Sequence, residues 1–92
     1  MRGVSAVVLI KAETSLINEL AEQLAEVPGV AEVFSVAGQY DLVALVKVRE
    51  NEDLADVITH RMRKLRGILE TQTLIAFRVY SRAELSAGFD MD

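Results

Sequence analysis

A chain of 92 residues carrying 10 basic and 14 acidic side chains, net charge −4, has room for one small domain. A domain of that size buries only about 60–65% of its unfolded surface and gains from a partner. Its 51% apolar and 26% charged residues are those of a folded globular protein, and the acidic balance argues against binding nucleic acid through phosphate neutralisation. With no cysteine and one histidine, His60, the chain offers no disulfide, no thiol nucleophile and no histidine-cluster metal site.

Val4–Ile10, behind Met1-Arg2-Gly3, has the length and polarity of a short signal peptide. Lys11 and Glu13 end the run, no small-x-small cleavage site follows, and seven residues are too few to span a bilayer. The run reads as the first strand, over residues 4–12, of a cytoplasmic protein in a reducing compartment. A helix follows from Thr14 or Ser15, either of which can cap it, with Leu16, Leu20 and Leu24 on one stripe. Pro28-Gly29 stops it, because proline cannot continue a helix and glycine accepts positive φ. A second strand spans residues 30–37. Gly38-Gln39-Tyr40-Asp41 turns the chain into a third strand over residues 42–49.

Asn51 is placed to cap the second helix, with Glu52 and Asp53 in its first turn and Arg63, Lys64 and Arg66 in its last, a distribution that complements the helix dipole. Gly67 ends it, and a fourth strand runs over residues 68–80. The tail, 81–92, is polar apart from Leu85 and Phe89, which lie four apart and can share one face of a short helix.

The two halves repeat at an offset of 38 residues: Ala6, Val8 and Ile10 fall on Ala44, Val46 and Val48, Leu20 and Leu24 on Ile58 and Met62, and Gly29-Val30 on Gly67-Ile68. Each half is β-α-β, so the whole is the ferredoxin-like βαββαβ unit of the α+β class. Right-handed crossovers place both helices on one face of a four-stranded antiparallel sheet. The other face should be polar in a monomer, yet Val7, Leu9, Val43 and Leu45 alternate with the first apolar set. Each large apolar side chain left in water there forfeits about 1.5–3 kcal/mol. A second copy of the sheet across a two-fold axis is the simplest cover, which predicts a homodimer of the dimeric α+β barrel kind.

Few residues suggest reaction chemistry. His60 lies beside Arg61, Arg63, Lys64 and Arg66, and a basic helix end explains that cluster better than a general base does. Glu50, Glu52 and Asp53 read as helix-start residues, the serines have no histidine placed to activate them, and the five glycines form no phosphate-binding loop. Catalytic residues, cofactors and metals are therefore not expected. The turn Gly38–Asp41 is the most informative spot, joining an aromatic, a carboxylate and a flexible backbone at a strand end, although a plain hairpin turn accounts for it too. Thr71 and Thr73, flanking Gln72, are equally compatible with ordinary strand preference.

Three segments in order carry a resemblance: Val27-Pro28-Gly29-Val30 before strand two, Val36-Ala37-Gly38-Gln39-Tyr40-Asp41 in the hairpin, and Gly67-Ile68 leading to Thr71-Gln72-Thr73. With that spacing the chain resembles the effector-sensing (RAM) domain of the Lrp/AsnC regulators over residues 4–80. The resemblance implies a sheet-paired dimer assembling further, from tetramer to decamer, and free amino acids bound in clefts between dimers. It implies a lining of Gly38, Tyr40, Asp41, Thr71 and Thr73, with Asp41 pairing an α-ammonium and amides near Gly38 and the threonine hydroxyls binding an α-carboxylate. Family regulators also carry an N-terminal helix-turn-helix domain, whereas this chain starts at strand one. The expectation is an effector domain, free-standing or a fragment, with no DNA or membrane binding of its own, that co-assembles with full-length Lrp/AsnC-type regulators.

Three other readings compete. A dimeric α+β barrel enzyme of the small monooxygenase or isomerase type needs a pocket inside one subunit lined by histidine and aromatic residues, which are scarce here. An ACT-like domain needs a glycine- or aspartate-rich turn after strand one, where this chain has Lys11-Ala12-Glu13-Thr14-Ser15. A ligand-free oligomerisation module fits the same hairpin.

Overall fold

The computed structural model describes residues 3–82. Strand β1 spans Val4–Ala12, β2 Val30–Ser35, β3 Leu42–Val48 and β4 Ile68–Ile75. Helix α1 spans Ile17–Ala25 and helix α2 Asn51–Asp56. The sheet is fully antiparallel in the order β2-β3-β1-β4, the ferredoxin-like arrangement.

The alternation in β1 and β3 decides which side chains meet the helices. Ala6, Val8 and Ile10 of β1 and Leu42, Ala44 and Val46 of β3 are buried, together with Leu20 and Leu24 of α1, Leu54 of α2, and Val57 and Met62 beyond it. Ile10, Leu20, Leu24 and Leu42 are almost fully removed from water, each stabilising the fold by about 1.5–3 kcal/mol. Helix α1 ends at Ala25, three residues before the expected stop at Pro28-Gly29; Gly29, at φ +100°, instead turns the chain into β2, and its carbonyl accepts a 2.8 Å hydrogen bond from Lys47 N.

The element ends differ from the sequence expectations in instructive ways. Neither Thr14 nor Ser15 caps α1 through its side chain; Thr14–Leu16 instead form a 3-10 turn that leads into the helix. The second helix is capped by Glu50 rather than Asn51, with Asp53 Oδ2 accepting from Glu50 N at 3.2 Å in a capping box. After Asp56 it loosens into a π-helical turn, Val57–Arg61, then tightens into a 3-10 turn, Met62–Lys64. The π turn brings Arg61 over Asp56, five residues back, and the two pair at 2.9 Å. β2 stops at Ser35, two residues early, and β4 at Ile75, five residues early. β4 pairs with β1 alone, and that pairing runs out at Ala6↔Ile75, with Ala76 N reaching Ser5 O at 2.9 Å. Phe77, Val79 and Tyr80 lie beyond that ladder and are exposed. The proposed helical pairing of Leu85 with Phe89 lies outside the described residues.

The face away from the helices is the apolar surface anticipated from the alternation. Antiparallel partners share a side, so Val7 stands with Leu45 and Leu74, and Leu9 with Val43 and Gln72. Phe34 joins them opposite Val43 and is 44% exposed, while Leu74 is 47% exposed. Glu32, Lys47, Lys11 and Glu70 surround this apolar centre.

Candidate functional site

The interesting chemistry gathers where the β2–β3 hairpin meets the end of β1. Three residues after β2, Gly38 takes φ +138°, a conformation that disfavours side chains, and no atom lies within 4 Å of where a Cβ would stand. The turn therefore needs glycine for its backbone conformation and not for close packing. The hairpin closes by Val36 N donating to Asp41 O at 3.0 Å, and Asp41 N in turn donates to Ile10 O at 2.9 Å.

Asp41 is held by β1. Its Oδ2 accepts a 2.9 Å hydrogen bond from Ala12 N, and the contact is partly buried. The β1–β3 ladder ends at Ile10↔Leu42, so Ala12 N, on the same edge of β1 as Ile10 O, has run past its β3 partners; on the other edge the β1–β4 ladder slips between Lys11 and Ala12, where Lys11 faces Glu70 and Ala12 faces Ile68, leaving Leu69 as the extra residue of a β-bulge. The Asp41 carboxylate supplies the acceptor that β3 no longer offers to Ala12 N. One Asp41 oxygen thus serves the backbone.

Tyr40 points the other way. Its hydroxyl donates to Gln72 Oε1 at 2.8 Å. Because β1 lies between β3 and β4, the phenol spans β1 on the open face at the level of Leu9, the partner of Gln72. Lys11 and Glu70, directly opposed across β1 and β4, stand one step beyond on the same face, and both are exposed. The five residues carried over from the resemblance divide accordingly. Gly38, Tyr40 and Asp41 cluster at this end. Thr71 and Thr73 share β4 with Gln72 but pair with Ile10 and Val8, which puts them on the helix side of the strand, Thr71 exposed and Thr73 half-buried. Gln72 is the residue that sequence reasoning passed over. Strand periodicity already separated it from its threonine neighbours, and only the hairpin's reach across β1 could have singled it out.

A separate depression of about 210 Å³ lies at the opposite end of β3, lined by residues including Gly29, Arg49, Asp53, Asp56 and Arg61. The seven residues of β3 put it about 20 Å from the hairpin. There, Arg61 and His60 both contact Asp56, at 2.9 and 3.2 Å, and the Arg61 hydrogen bond is the main cause holding the Asp56 carboxyl below its ordinary range. Among the described residues no group of three or more histidine, cysteine, aspartate or glutamate side chains is placed to hold a metal, and no helix is long and apolar enough to cross a membrane.

Comparison with known proteins agrees with this architecture. Residues 5–85 match the Lrp/AsnC ligand binding domain, and the chain belongs to that family. It is 33% identical over 78 residues to an uncharacterized HTH-type transcriptional regulator, PF0250 of Pyrococcus furiosus, covering 82% of this chain and 52% of the regulator. Among solved structures, TTHA0845 from Thermus thermophilus superposes with a TM-score of 0.81 at 48% identity, over 86% of this chain and 99% of that one. The transcriptional regulator NMB0573 of Neisseria meningitidis, solved as a complex with L-Met, shares the fold with a TM-score of 0.77 at 12% identity, over 87% of this chain and 53% of that one. The chain spans about half the length of the curated relatives it matches. The matched family is a ligand-binding domain, and the relatives are named as transcriptional regulators and not as enzymes.

Proposed function

We propose that this chain senses a free amino acid at the hairpin end of its sheet and assembles as a homodimer through the open face, the dimers joining into larger rings from tetramer to decamer. The observation that carries the reading is the convergence at one end of an apolar sheet face of the Tyr40–Gln72 hydrogen bond, the Asp41–Ala12 clamp and the β1–β4 bulge. Bulges are over-represented next to functional sites because they re-aim side chains. The apolar centre of Val7, Leu9, Val43, Leu45, Phe34 and Leu74 favours a second sheet as its cover. A relative of the same fold was solved with L-Met, which supports an amino acid as the ligand class.

The cellular role follows by co-assembly with Lrp/AsnC-type regulators in the cytoplasm. Any effect of the ligand on such assemblies requires that it bind one of them better than another. Thermal unfolding of the pure protein against each of the twenty amino acids tests the reading. An amino acid present at a hundred times its dissociation constant adds about 2.7 kcal/mol, and a selective rise for one or a few of them is the expected result. No rise with any of the twenty contradicts the sensing role and leaves a ligand-free assembly module.

A further inference from the structure

Resting on the amino-acid reading, we infer that Lys11 and Glu70 grip the charged head of the ligand, and that the Tyr40–Gln72 pair selects a neutral side chain. Lys11 and Glu70 are directly opposed across two strands on the open face. Opposed residues in an antiparallel ladder have Cα atoms about 4.5–5.5 Å apart, close enough for their long side chains to pair. Yet among the described residues neither forms an ion pair or hydrogen bond through its side chain; the ion pairs there all involve Asp56. An ammonium and a carboxylate standing side by side and unpaired match the two charges of an α-amino acid, carboxylate to Lys11 and ammonium to Glu70.

Three further features favour this end over the carried-over assignment. One oxygen of Asp41 is already engaged by Ala12 N, and Thr71 and Thr73 lie on the opposite side of β4 from Tyr40. The bulge sits immediately beside Glu70, with Leu69 the unpaired residue. One step inward, Tyr40 Oη donates to Gln72 Oε1, which leaves the Gln72 amide hydrogens and the phenol lone pairs for a ligand. That pair carries no charge, so it accepts an amide, thioether or alkyl group and gives a charged side chain no partner.

The test is calorimetric titration of the intact protein. L-asparagine, L-glutamine, L-leucine and L-methionine are compared with L-glutamate and L-lysine, then the best of them with its decarboxylated amine and its deaminated acid. Lys11→Met and Glu70→Gln are titrated in parallel, their unliganded melting temperatures serving as a folding control. Lys11→Met is expected to weaken the amino acid about five- to tenfold and to leave the amine unaffected, and Glu70→Gln to do the same with the acid as the indifferent analogue. Neutral side chains should bind more tightly than charged ones. Binding by the wild type that neither variant alters overturns the inference while leaving the sensing role standing. A preference for glutamate or lysine overturns the side-chain part. Absence of binding by any amino acid removes both.

Discussion

Asp41→Ala removes the only side-chain acceptor that, among the described residues, reaches the amide of Ala12 (Oδ2 to N, 2.9 Å). A hydrogen bond to a charged group contributes about 1.5–3 kcal/mol, and the partner left without an acceptor carries its own desolvation cost. The contact is partly buried, so water can reach Ala12 N and the loss should sit at the lower end, about 1.5–2 kcal/mol. For a domain of this size each kcal/mol moves the melting temperature by about 4–8 °C, which predicts a fall of about 6–16 °C. Asp41→Asn keeps an acceptor without its charge and should lose about half as much. Differential scanning calorimetry reads the stability, and hydrogen exchange at the Ala12 amide reads the contact, with faster exchange expected in the alanine variant and intermediate exchange in the asparagine variant. A melting temperature unchanged in Asp41→Ala, with the Ala12 amide still protected, would refute the clamp and free the carboxylate for a ligand.

The remaining expectations concern other parts of the fold. Leu45→Arg, at the centre of the open face beside Val7, should leave the subunit folded and reduce its sedimentation mass to that of a monomer; an unchanged assembly would show that the copies meet elsewhere. Gly29→Ala should destabilise by about 2–4 kcal/mol, combining left-handed backbone strain with overpacking, because a Cβ at φ +100° would stand 2.8 Å from Val57 Cγ2 and 3.1 Å from Val48 Cγ1; urea denaturation checks it, and a change under about 1 kcal/mol would mean the second helix shifts freely. Asp56 has a folded pKa depressed chiefly by the Arg61 hydrogen bond, so its contribution is present above the ordinary carboxylate value, about pH 4, and is lost as pH falls through the depressed value. The melting temperatures of wild type and Asp56→Asn should therefore differ by a constant amount above that pH and converge below it; a gap that widens in acid would reverse the assignment.

Element order and core were legible because apolar residues recur at periods of two and 3.6, and these fix which side of β1, β3 and α1 is dry. The open apolar face followed from the same alternation, since Val7, Leu9, Val43 and Leu45 occupy the other parity. What the sequence hid depends on register. The same alternation that makes Phe77 and Val79 look like strand residues carries no information about where the β1–β4 ladder stops, at Ala6↔Ile75. The partner of Asp41 is set by the β1–β3 ladder ending two residues short of Ala12, and the partner of Tyr40 by a reach across β1 to a residue 32 positions away. Asn51 looked like a cap because its residue type favours caps; Glu50 takes the position because Asp53 stands three residues on and closes a reciprocal pair of bonds. Thr71 and Thr73 were grouped with the hairpin by the family resemblance, whereas ladder parity turns them toward the helix side.

Hydrogen–deuterium exchange of the assembled protein, with and without a mixture of the twenty amino acids, tests ligand binding and its location together. Slower exchange is expected in peptides covering Lys11–Ala12, Gly38–Asp41 and Glu70–Thr73, with the distant segment around Gly29, Arg49 and Asp56 unaffected. Protection confined to that distant segment, or no protection anywhere, would contradict that expectation.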